Sequence, residues 1–110
     1  MQLTLYIDDA SQTIEITGDI LNDAADFFSK MDRDMDQGWQ MSRSWVERPN
    51  LVQRCQIAAN KILDAINDEN ETLMMLMAGY ILVRMPDVRA VRIDTAGDMT
   101  ATELLTNPLE

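Results

Sequence analysis

From Thr72 to Met85 the chain is apolar on every face of a helix until Arg84. A helix that is hydrophobic all round cannot lie at a surface; its own fold or a partner must enclose it. A chain of 110 residues is one ordinary domain, so most of its remaining elements are committed to that enclosure.

The flanking segments show what those elements are. Leu3, Leu5 and Ile7 alternate with Thr4, Tyr6 and Asp8, the period of a half-buried strand. After the polar connection Asp9-Ala10-Ser11-Gln12, Ile14 and Ile16 point inward and Thr13, Glu15 and Thr17 outward, which predicts a β-hairpin. Gly18 and Asp19 stop the second strand, with Asp19 placed to cap a helix. Ile20, Ala24, Phe27, Phe28, Met31 and Met35 then recur at helical spacing up to Gly38, a suitable C-terminal residue.

A short helical turn is expected from Trp39 to Val46, because Met41 and Trp45 are four apart. Pro49 closes that segment and Asn50 caps a helix whose stripe is Leu51, Cys55, Ala58, Ala59, Ile62, Leu63 and Ile66. Asp68 and Glu71 are spaced like a capping box before the all-apolar helix, and Pro86 ends it. Val91 and Ile93 alternate with Arg92 and Asp94 as a third strand, and Thr100 with Glu103 suggests one last helical turn.

The order β-β-α-α-α-β predicts an α+β fold in two layers: a three-stranded antiparallel or mixed sheet with three helices covering one face. A single domain over 1–110 is expected, with a flexible tail from about residue 105.

Composition narrows the function. Hydrophobic residues make up 46% of the chain, so a net charge of −10 does not make it disordered. That charge opposes phosphate backbones and anionic lipid, so neither nucleic acid nor a membrane surface is an expected partner. Leu73 to Val83 is too short to span a bilayer. The start of the chain lacks the pattern of a signal peptide, and a cytoplasmic, reducing location is expected.

Histidine is absent, and the single cysteine, Cys55, falls on an apolar helix stripe. Neither a general base nor a reactive thiol is at hand. Asp32, Asp34 and Asp36 start like a calcium loop, but Gln37 stands where the glycine belongs and Arg43 where the closing glutamate belongs. No enzyme activity, cofactor or metal is expected.

The remaining concentration of chemistry is the segment 39–48. Trp39, Met41, Arg43, Trp45 and Arg48 combine the residue types that dominate protein contacts. Either the segment binds a partner, or both indoles anchor the connection between two helices. Charge is uneven as well: residues 1–40 carry nine acids against Lys30 and Arg33, while 41–54 carry Arg43, Arg48 and Arg54 against Glu47. Such a division suits a partner, a head-to-tail contact between copies, or an internal salt-bridge network.

The expected function is a small non-enzymatic interaction protein, accessory or regulatory, or a homodimer formed through that surface. The alternative is a small-molecule or calcium-binding protein with a pocket between the sheet and the Met-rich helices.

Overall fold

In the computed structural model, which describes residues 1–107, strands β1 (Gln2–Ile7) and β2 (Ala10–Glu15) form the expected hairpin. Its turn is only Asp8-Asp9, with Asp8 in the left-handed region at φ 53°. Ala10, Ser11 and Gln12, expected as connection, belong to β2, because an edge strand is held by its backbone ladder and needs few apolar side chains.

Strand β5 (Ala90–Ile93) lies parallel to β1, with Leu5 opposite Val91 and Ile7 opposite Ile93. A fourth strand, β6 (Glu103–Leu105), pairs antiparallel with β5. The sheet is therefore mixed and four-stranded, in the order β2-β1-β5-β6. The helical turn expected from Thr100 to Glu103 is replaced by a single 3₁₀ turn, Met99–Ala101, capped by Asp98 and running into β6. Leu105 thus ends a strand; residues 108–110, the end of the expected tail, lie outside the described residues.

Among the described residues the α-helices number four. Thr17, not Asp19, caps α1 (Gly18–Asp23), its hydroxyl accepting from the Ile20 N–H at 3.4 Å. Asp19 sits instead in the first turn, where a carboxylate suits the helix dipole. The helix expected to run unbroken to Gly38 is interrupted at Ala24 and resumes as α2 (Ala25–Asp36). Helix α3 (Leu51–Asn67) starts at the expected Asn50 with a full capping box, Asn50 and Gln53 each accepting from the other's backbone N–H at 2.8 Å. Helix α4 (Glu71–Arg84) is capped by Asn70 rather than through Asp68 and Glu71.

The apolar helix α4 lies at the centre, packed on α3 and touched by α1. Gly79 permits that last approach: a methyl there would come 2.9 Å from Leu21 Cδ2 and 3.3 Å from Phe28 Cζ. Met77, Tyr80, Ile81 and Leu82 are buried. The enclosure is incomplete, however. Leu73 to Leu76 are half-buried and Val83 is 38% exposed, so part of the helix surface stays in water. The centre of α4 is nonetheless enclosed by its own chain, so its burial supplies no argument for a second copy. No helix among the described residues is long and apolar enough to cross a membrane.

Candidate interaction site on the 39–48 hairpin

Helix α2 ends at Asp36 with Gln37 as its C-cap, and Gly38 comes next in a left-handed conformation, φ 102°, donating its N–H to Met35 O at 3.0 Å. That reversal releases the chain from the helix. In place of the expected helical turn, the chain then forms a second, two-stranded ribbon of β3 (Trp39–Met41) and β4 (Ser44–Val46). Ser42 at φ 59° and Arg43 form its tip. Met41 and Trp45, four apart, fit a helical period, but Trp39 and Met41 fit a strand period equally well. Over eight residues the two cannot be separated without the Gly38 conformation.

The pleat divides the candidate residues. Trp39 faces Val46 across the ribbon and both pack on the core, where Met41 is 1% exposed. Met41 is thereby removed from the expected contact surface: it is a core residue. Trp39 is half-buried, with Lys61 Nζ 4.9 Å from its ring centroid, a cation–π contact.

Trp45 faces the other way, opposite Gln40, and is 60% exposed. One side of its indole rests on the Gly38 backbone so closely that a methyl on Gly38 would collide with Trp45 Cζ2. Arg43 and Arg48 are exposed and make no ion pair among the described residues. Leu51 and Val52, at the start of α3, are each 46% exposed.

Arg54 fastens the foot of this ribbon. Its Nε donates to Pro49 O at 2.8 Å, where the chain returns from the ribbon, and its Nη2 to Asp36 Oδ1 at 2.5 Å, where the chain departs. Its Nη1 reaches both the carbonyl and the carboxylate of Asp32, each at 3.3 Å. Asp32 also accepts from the Tyr80 hydroxyl at 2.5 Å and from Arg84 Nε and Nη2 at 3.0 and 2.7 Å. The tip is tied as well, since Ser42 Oγ accepts from the Met99 N–H at 2.8 Å. Foot and tip are both held, so the exposed indole is presented on a fixed frame.

Partial burial pushes the Asp32 carboxyl upward, but the Tyr80 hydroxyl and the Arg84 and Arg54 guanidinium groups outweigh it and hold it below its ordinary range. Burial raises Tyr80 sharply, and the Asp32 carboxylate adds to the effect. Burial likewise pushes the Cys55 thiol up to about 12, so it stays protonated and unreactive near neutral pH.

Sequence periodicity alone puts Asp32 on an exposed helix edge and does not reveal this cluster. The available signal is a pair of i, i+4 spacings, Asp32 with Asp36 and Tyr80 with Arg84, each putting two polar groups on one helix face. That α2, α3 and α4 turn those faces toward one another is tertiary information. Of the basic residues in 41–54, Arg54 belongs to the internal network and Arg43 and Arg48 do not. Asp32, Asp34 and Asp36 lie on a regular helix, and the described residues contain no group of three side chains placed to hold a metal ion.

No protein-family model, curated protein or solved structure gives a significant match to this chain.

Proposed function

We propose that this protein acts by binding another protein through the outer side of the β3–β4 ribbon, with Trp45 as the aromatic anchor and Arg43 and Arg48 as flanking charged contacts. The observation that carries the reading is a 60% exposed tryptophan on a ribbon fastened at both foot and tip. Sinking the exposed part of an indole into a partner contributes on the order of 2–4 kcal/mol. A frame that is already ordered avoids the cost of fixing a mobile anchor, about 0.5–1.5 kcal/mol per side chain. The fitting partner surface is an apolar recess with carboxylates at its rim, matching the exposed Arg43 and Arg48 guanidinium groups.

The small-molecule alternative rests on one cleft. The space between Phe27, Met31, Trp39, Lys61, Leu73 and Met77 holds only about 120 Å³, but the cleft between Gln12 of the sheet and Ala65, Ile66 and Met74 of the helices holds about 420 Å³, within the about 300–1,000 Å³ usual for ligand sites.

A photoreactive benzophenone side chain at Glu47, beside the anchor, tests the proposal in native extract. A discrete cross-linked adduct is expected, lost when Trp45→Ala is added and absent when the label stands at Asp87. An adduct of twice the chain's own mass would identify a second copy as the partner. Undiminished cross-linking in the Trp45→Ala protein overturns the proposal.

A further inference from the structure

Strand β2 is an edge of the main sheet, and its outer side is open for pairing. Thr4 donates its N–H to Arg89 O, so its backbone groups point toward β5 and away from β2. Thr13, opposite Thr4, must then direct its own N–H and C=O away from β1. The same alternation applies to Ser11 and Glu15, while Ile16 continues the inner set by donating to Met1 O at 2.7 Å. Residues 11, 13 and 15 thus present a row of donors and acceptors along an unbroken six-residue register. Proteins usually blunt such an edge with proline, lysine or a bulge. Strand β2 has none of these.

Beside the edge, on the helix side of the sheet, lies a cleft of about 420 Å³. Gln12 of β2 forms one wall, Ala65, Ile66 and Met74 give it apolar surface, and Glu69 and Glu71 stand at its rim. Neither glutamate forms an ion pair among the described residues, and no lysine or arginine occurs between Lys61 and Arg84. A strand added to β2 would alternate its side chains between this cleft and the open face of the sheet.

We propose that the β2 edge and this cleft form a second binding site, for an extended segment of another protein whose cleft-facing residues, two apart in sequence, are apolar beside Ile66 and Met74 and basic beside Glu69 and Glu71. Backbone pairing with residues 11, 13 and 15 supplies affinity. Apolar side chains enter between Ile66 and Met74, and Lys or Arg side chains meet Glu69 and Glu71. The site is independent of the Trp45 ribbon and stands whether or not that reading holds.

The test uses the whole protein and a blocked peptide of about eight residues, long enough to run along β2, in which valine and lysine take turns at every second position with threonine between them. Amide exchange at Ser11, Thr13 and Glu15 is expected to slow by about tenfold or more on saturation, as solvent-facing amides enter a ladder. The same peptide with glutamate in place of lysine should give no protection. Glu69→Gln combined with Glu71→Gln should weaken binding several-fold. Thr13→Pro, which removes an outward N–H that the fold does not use, should abolish it.

Binding without protection of these three amides would show only charge attraction to an acidic protein, and would overturn the proposal. Protection already present without peptide, rising with protein concentration, would assign the edge to a second copy and overturn it as well. Should Thr13→Pro fail to fold, the glutamine pair together with the exchange pattern decides the question.

Discussion

Gly38 carries two requirements at one position. Its φ of 102° disfavours any side chain, and the Trp45 indole occupies the space a Cβ would take. Gly38→Ala is expected to cost about 1–3 kcal/mol in urea unfolding, through backbone strain plus displacement of the indole. A cost near zero would show that the ring does not rest there. Asp32 makes a prediction in pH. Its folded carboxyl is held below the ordinary value, so the unfolded chain takes up a proton first as pH falls. The stabilisation is complete above about pH 4 and fades as pH drops through the lower folded value. Asp32→Asn should therefore lose about 1–3 kcal/mol at neutral pH and show a shallower acid decline than the parent. Parallel declines would place the acid sensitivity in other carboxylates. Of these two residues, Gly38 is legible in the sequence as a helix terminator, with no sign of the indole above it. Asp32 looks like one acid among several on a solvated helix face.

Among the elements, those with a long period are legible in the sequence alone. Helix α3 has seventeen residues with one apolar stripe and an Asn50–Gln53 cap, and its pattern marks it nearly to its ends. Strand β1 is equally clear from three alternations. The short elements are not: β6 has three residues, and each strand of the ribbon has three. Such lengths hold too few side chains to distinguish a helical from a strand period. Their stability comes from partners distant in sequence, β5 for β6 and the Arg54 cluster for the ribbon. The break at Ala24 is hidden for a similar reason, since the apolar spacing continues across it. If Arg54 holds the ribbon, Arg54→Leu should speed amide exchange in β3 and β4 by about tenfold or more relative to the β1–β2 pair. Equal acceleration in both would mean global destabilisation instead of a loosened ribbon.

For the whole molecule, the α+β class is implied by the periodicities, because three apolar strand faces and an all-apolar helix must bury one another. Strand order and the parallel pairing of β1 with β5 are not implied, since parallel neighbours are joined across most of the chain and no local pattern marks them. The same limit applies to function. The segment 39–48 is legible as chemically unusual, but the division into inward Trp39 and Met41 and outward Trp45 depends on the ribbon's pleat. The central claim is that the molecule presents Trp45 for contact and does not need it for folding. One variant, Trp45→Ala, tests this most directly when urea unfolding and cross-linking through position 47 are measured on the same preparation. The unfolding free energy is expected to stay within about 1 kcal/mol of the parent, as for an exposed residue, while the cross-link disappears. A loss of about 3–5 kcal/mol, typical of a buried tryptophan, with the cross-link retained would show that the indole is a structural anchor and that the partner binds elsewhere.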